Sequence, residues 1–167
     1  MISNFFAFLH SCSNFASENY ATMIRYFHED TSFEFKGKLL NNKWLKFVAE
    51  SEVRKLGDIN IIFCSDNYIL DVNTKYLQHD YFTDIITFDY CERDVLFGDL
   101  FISIDSVRDN ALFYGTDFKE ELNRVIVHGL LHLIGYDDQT DSEQRTMRAK
   151  EDYYLSQRSV VCGVAEN

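Results

Sequence analysis

Apolar positions recur along this chain at two spacings, and the switches between them divide it into short alternating elements. Phe33 and Phe35 alternate with polar neighbours, which predicts a strand over 32–36. Trp44, Leu45, Phe47 and Val48 follow at helical spacing, with Lys43, Lys46 and Arg54 outside, predicting a helix over 41–56. Ile59 to Cys64 is a β-rich run, and Ser65 after it is a good N-cap for a helix over 66–77. Residues 83–89 and 95–104, rich in β-branched and aromatic side chains, predict two further strands. Helices are expected at 105–114, 117–134 and 141–157. Asp117 with Glu120 and Thr140 with Glu143 read as capping pairs, and Gly135 ends the long helix. Strands mixed with helices in this order predict a layered α/β (α+β) domain with one small mixed sheet of about four strands.

Composition narrows the class. Hydrophobic residues make up 46% and aromatics 16% of 167 residues, enough for a real core and too many for a disordered chain. There is no proline, no repeat and no Gly/Ser linker to mark an internal boundary. The expected organisation is an extension over 1–22, with Met23 an equally good start, a folded domain over 23–158, and a tail over 159–167. No apolar run approaches the roughly 20 residues of a membrane span. Cys12, Cys64, Cys91 and Cys162 fit no zinc-finger spacing, and no basic residue precedes the apolar stretch Phe5–Leu9. Both features predict reduced thiols in a cytoplasmic protein.

The formal charge is −11. A chain this acidic has no general attraction for nucleic acid, so any RNA contact must come from a local patch, a bound cation or a partner protein. The segment 36–55, with Lys36, Lys38, Lys43, Lys46, Arg54 and Lys55, is one candidate patch; a solvated helix face is its ordinary explanation. The paired aromatics Phe113-Tyr114 and Tyr153-Tyr154 fit either base stacking or core.

The chemistry concentrates between Val125 and Asp138. His128 and His132 stand four apart, on one helix face, and are the only polar side chains from Val125 to Ile134. Two imidazoles in a helix that is apolar all round need partners. Gly135 turns the chain, and Asp138 follows six residues after His132. H-x-x-x-H-x-x-G-x-x-D is the metzincin zinc spacing with aspartate in third place. Such a unit offers two nitrogens and one oxygen to a single ion and leaves a fourth position for water, whose pKa a bound metal lowers from 15.7 toward about 7. Asp137 is the alternative third ligand. A metalloprotease needs the glutamate of HExxH as general base, and that position is Gly129.

Val127 to Asp138 resembles the His-Gly-x-Leu-His-Leu-x-Gly-Tyr-Asp-His signature of the YbeY-type bacterial endoribonucleases. Asn73 to Tyr76 with Thr83 to Phe88, and Gly98 to Ile102, are similar to two further blocks of that family, so the likeness runs from about residue 57 to 155. The resemblance implies a zincin-like domain built on a central metal-binding helix. It also implies a single-strand-specific, metal-dependent endoribonuclease that matures small-subunit ribosomal RNA and serves ribosome quality control. Its partners are then ribosomal RNA, the small ribosomal subunit and its assembly proteins, and no membrane. The metal is expected to be one Zn²⁺ held by His128, His132 and Asp138. Asp138 replaces the family's third histidine and moves preference toward Mn²⁺ or Mg²⁺. Leu77 replaces an arginine that holds RNA phosphate in the family; His79, Lys75 and Arg93 are the nearby substitutes.

His128 and Asp84 are the candidate catalytic residues. Asp84 either orients a histidine or water, or caps a strand end. Asp99 needs a buried partner near the site. Arg124, one turn before His128, either meets substrate phosphate or pairs with Glu120 or Glu121. Two further functions compete: a non-catalytic ribosome assembly factor with a structural metal, favoured by Leu77 and the charge, and a metalloprotease, opposed by Gly129.

Overall fold

The computed structural model describes residues 22–78 and 80–163. The element order is β1 (Ile24–Glu29), α1 (Lys38–Ser51), β2 (Lys55–Cys64), α2 (Asp66–Val72) continued by a π-helical turn (Asn73–Leu77), β3 (Ile85–Asp89), β4 (Val95–Ser103), α3 (Ile104–Tyr114), α4 (Phe118–Ile134) and α5 (Asp141–Cys162). The sheet is mixed and four-stranded, in the order β1-β2-β4-β3. Strands β1, β2 and β4 are parallel, and β3 lies antiparallel to β4.

Strand alternation divides the core between two faces. Ile59, Ile61, Phe63, Leu100 and Ile102 join Trp44 and Leu45 of α1, most of α4, and Met147 and Tyr154 of α5 in the larger cluster. Ile62, Cys64 and Phe101 point the other way, against Ile69 and Val72 of α2. The buried stripe of α4 therefore lies in a sandwich, with the sheet on one side and α1 and α5 on the other.

The expected strand over 32–36 is extended chain outside the sheet. Phe33 and Phe35 do alternate toward the core, with ring centroids 5.3 Å and 5.1 Å from Phe63. The period records one-sided burial, and the ladder position belongs to β1 instead. As an edge strand β1 is half-buried at every position, so it shows no alternation to read. The first helix starts at Lys38 and stops at Ser51, short of the expected 56. Val53 turns the chain at φ 56° and Arg54-Lys55 already lead into β2. At the other end α5 continues past 157 to Cys162, where Gly163 at φ 66° caps it, so residues 159–162 are helix and not tail. The expectations on 1–21 and 164–167, Cys12 and the apolar stretch Phe5–Leu9 among them, lie outside the described residues. Among the described residues no helix is long and apolar enough to cross a membrane.

Candidate metal centre

Asp117 caps α4 by accepting from the Lys119 amide at 2.8 Å, and Glu120 and Glu121 fill the first turn. The opposite end closes at Gly135, φ 113°, whose amide donates to the Leu131 and His132 carbonyls at 3.1 Å and 3.0 Å. That left-handed turn, which a side chain resists, folds Tyr136 to Asp138 back beside the helix. Thr140 and Glu143 then form a reciprocal capping box and start α5.

Gly129 has a different reason to be glycine. A Cβ there would stand 2.5 Å from Ile85 Cδ1 and 3.0 Å from Leu100 Cδ2. The position faces the sheet, so a glutamate would be driven into β3 and β4. This is where α4 presses on its floor, and the protease reading finds no base here.

His128 and His132 sit with ring centroids 4.4 Å apart at 87°, their Nε2 atoms 2.9 Å apart. What each Nδ1 touches decides what that approach means. His128 Nδ1 lies 2.8 Å from Glu151 Oε1, and His132 Nδ1 lies 2.9 Å from the Tyr136 carbonyl oxygen. A carboxylate and a carbonyl only accept, so both Nδ1 atoms carry the proton and donate. In the neutral form, each ring then turns an Nε2 lone pair toward the same point. Asp138 Oδ2 joins them, 3.6 Å from His128 Nε2 and 3.8 Å from His132 Nε2. Three lone pairs aimed at one another repel unless a cation, a metal ion or a proton on one ring, sits between them. A point equidistant from all three lies about 2.0 Å from each, the length of a Zn–N or Zn–O bond. His128, His132 and Asp138 together can hold a metal ion. Asp137 is exposed and lies outside that group.

Charge follows the same partners. Burial disfavours the charged form of His128, but the Glu151 carboxylate outweighs it and, with Asp84 and Asp138, raises the ring above its ordinary pKa. Burial and the neighbouring His128 lower His132. For Glu151, burial alone would raise the carboxyl; the bonds and charge of His128, with Arg124 and Arg148, hold it below the usual range.

The structure brings some of the other candidates to this centre. Asp84 is half-buried, with its carboxylate accepting from Asn110 Nδ2 at 3.0 Å and its charge acting on His128. Arg124 donates to Asp152 at 2.7 Å and Glu151 at 3.2 Å, with Glu121 at 3.8 Å. It braces the carboxylate that holds His128, and Glu120 is not among its ion-pair partners. Lys75 lies 5.0 Å over the Tyr76 ring. His79 lies outside the described residues. Asp99 is away from the centre: it shares the Phe101 face of the sheet, where Asn60 Nδ2 donates to it at 2.7 Å and Tyr90 Oη at 3.4 Å. In the lysine-rich segment, Lys46 and Lys55 pair with Glu50 and Asp94. Tyr154 is core, whereas Phe113 and Tyr114 are exposed.

Two functional positions escaped the sequence reading. Glu151 is 5% exposed and holds His128; its signal was a charge at i+4 from Met147 and i−3 from Tyr154, on the apolar stripe of α5. Glu52, at the end of α1, accepts from Tyr136 Oη at 2.9 Å and Lys150 Nζ at 2.7 Å, and also from Tyr154 Oη. It fixes the bend that carries the His132 acceptor. No spacing in the sequence points to it.

Fold and centre together define a class: a mixed-sheet protein whose central helix and following bend bring together two histidines and an aspartate that can hold a metal ion. Known proteins agree with that class and narrow it. Residues 24–159 match the family model described as Endoribonuclease YbeY. The chain is 50% identical over 133 residues to "Endoribonuclease YbeY" of Parabacteroides distasonis, covering 80% of this chain and 94% of that one. It is 48% identical over 136 residues to the protein of the same description from Cytophaga hutchinsonii, covering 81% and 95%. The solution structure of TM1509 from Thermotoga maritima is similar at a TM-score of 0.60 and 29% identity, covering 83% of this chain and 90% of that one. The chain belongs to the YbeY endoribonuclease family. The match starts at β1, well before residue 57, where the motifs begin. Nothing in these likenesses favours a protease or a non-catalytic factor.

Proposed function

We propose that this protein is a metal-dependent, single-strand-specific endoribonuclease acting on precursor ribosomal RNA during small-subunit maturation and quality control. Family membership supports the RNA cleavage, and the convergence of His128 Nε2, His132 Nε2 and Asp138 Oδ2 supports the metal. That convergence is the observation on which the reading rests. When bound, a divalent ion supplies Lewis acidity toward a phosphodiester and lowers the pKa of water.

The chain's own residues prepare the site. Glu151 keeps the proton on Nδ1 of His128, and the Tyr136 carbonyl keeps it on Nδ1 of His132, so both Nε2 atoms stay available as ligands. Asp84 places a second negative charge beside His128, positioned by Asn110. Zn²⁺ suits two imidazoles and one carboxylate, and the carboxylate also admits Mn²⁺ or Mg²⁺. Ribosomal RNA, the small subunit and its assembly proteins are the proposed partners, and the cytoplasm the proposed compartment.

Elemental analysis of the purified protein, beside a ribonuclease assay with and without chelator, tests this directly. Stoichiometric metal in the wild type, chelator-sensitive cleavage of single-stranded RNA, and loss of both in His128→Ala are expected. Full cleavage by His128→Ala would remove the proposal.

A further inference from the structure

A cleft of about 460 Å³ opens beside the metal centre, within the size range of ligand pockets. His128 and Asp138 form one wall, and Asp141, Arg145, Arg148 and Glu151 of α5 line the other. Asp141, Arg145 and Arg148 fall at i, i+4 and i+7, so one face of α5 carries them all along the cleft.

The cations around the centre differ in what they are free to do. Arg124 is 18% exposed and committed to three carboxylates. Lys150 is committed to Glu52. Arg148 donates to Glu151 at 3.1 Å but remains 53% exposed. Arg145 is exposed and has no ion-pair partner among the described residues. On a surface with a net charge of −11, an unpaired guanidinium beside a metal site is the local cation that an anionic strand requires. Leu77 supplies none.

We propose that Arg145, seconded by Arg148, is the phosphate clamp for RNA in this cleft, gripping a phosphodiester next to the one at the metal centre. This rests on the endoribonuclease reading. Guanidinium geometry suits the task, since its fork gives two parallel N–H bonds to phosphate oxygens, which an ammonium does not. The cleft also carries its own condition. Asp138, Asp141 and Glu151 outnumber the two arginines, so the lining is net negative until a divalent cation is bound. RNA affinity is therefore expected to depend on metal, and the arginines to act together with it.

The test is binding of a labelled 2′-O-methylated single-stranded oligoribonucleotide, checked to stay intact, by the metal-loaded full chain across a salt series. Arg145→Gln is expected to weaken binding about tenfold, as loss of a charge-assisted pair does. The slope of log affinity against log salt is expected to fall by about 0.7, one phosphate contact on a single strand. Arg145→Lys should recover the slope but not the full affinity. Arg25→Gln, on β1, makes the same charge change and should move neither quantity, which separates a clamp from a loss of net charge. Unchanged affinity and slope in Arg145→Gln, with a wild type that binds and cleaves RNA, would overturn the clamp and leave the endoribonuclease standing. A wild type that neither binds nor cleaves RNA in any metal would take both down.

Discussion

Neighbouring residues of α5 serve two carboxylates that do different work. Glu151 receives His128, Arg124 and Arg148; Lys150, one residue earlier, reaches instead to Glu52, which also receives Tyr136 and Tyr154. Glu151 ties the middle of α4 to α5 and Glu52 ties the bend after α4 to α5, and hydrogen bonds hold both below the usual carboxyl range against the effect of burial. They differ in what they hold. Glu151 touches a ligand ring and sets which of its nitrogens carries the proton. Glu52 touches the Tyr136 hydroxyl and reaches His132 only through that residue's backbone carbonyl. A buried carboxylate against a histidine that can hold a metal would tune that metal, whereas one at a remove positions the chain.

Removing Glu151 is expected to have the largest effect. Glu151→Ala leaves the His128 imidazole N–H and the Arg148 guanidinium without their acceptor and takes one of three from Arg124, and breaking a buried pair from one side costs about 3–5 kcal/mol. Metal affinity should fall about 10–100-fold, the usual cost of losing a group that orients a ligand histidine. Glu151→Gln keeps an acceptor oxygen and should recover part of both. Urea denaturation and competition with a chromophoric chelator measure the two quantities separately. Wild-type metal affinity in the alanine variant would mean that Glu151 does no more for the metal than Glu52.

Glu52→Ala should lower stability by about 2–3 kcal/mol, since three donors lose one acceptor, while the folded variant keeps a metal affinity near that of wild type. An affinity loss as deep as that of Glu151→Ala would show that position of the bend, and not protonation of the ring, governs the metal. Acid pH separates the contribution of Glu52 further. Its folded pKa is lowered, so its contribution is complete above the ordinary glutamate pKa and is lost as pH falls through the lowered one. The variant should therefore lose less stability than wild type between about pH 5 and the acid end of the titration.

How much of this the sequence shows depends on whether a contact has a period. The α4 stripe, the Gly135 turn and the His128–His132–Asp138 spacing are local, and each was legible. The strand β1 was not, because an edge half-buried at every position has nothing to alternate. Glu52 lies 84 residues from Tyr136 and 102 from Tyr154 in the chain, and no local spacing encodes pairs so distant. For Arg124 the sequence leaves substrate phosphate or pairing along its own helix, and the structure gives it Glu121 at 3.8 Å on that helix. Its nearer partners, Asp152 and Glu151, come from α5, which only the packing of two helices reveals.

Gly129→Ala tests the floor beneath both carboxylates at smaller cost. The new methyl meets Ile85 and Leu100, and overpacking of this kind costs about 1–3 kcal/mol, partly offset by about 1 kcal/mol of helix propensity. The expected net loss is about 1 kcal/mol. A larger loss accompanied by weaker metal binding would mean that α4 rises off the sheet and carries His128 with it.

The smallest expected effect has the opposite sign. Val53, next to Glu52, holds φ 56° while 87% exposed, a left-handed conformation that disfavours a branched Cβ by about 1–2 kcal/mol. Val53→Gly removes that strain and adds backbone entropy to the unfolded chain, for a net stabilisation of about 0.5–1 kcal/mol. Repeating this change in the Glu52→Ala background shows what holds the turn. If the bonds to Tyr136, Lys150 and Tyr154 are what hold the turn in its strained form, the turn relaxes without them and the glycine then gains little. The cycle should show a coupling of about 0.5 kcal/mol or more. Equal gains in both backgrounds would instead assign the turn to its own backbone bonds, Val53 N–H to the Glu50 carbonyl and Arg54 N–H to that of Ala49, and leave Glu52 a passive acceptor.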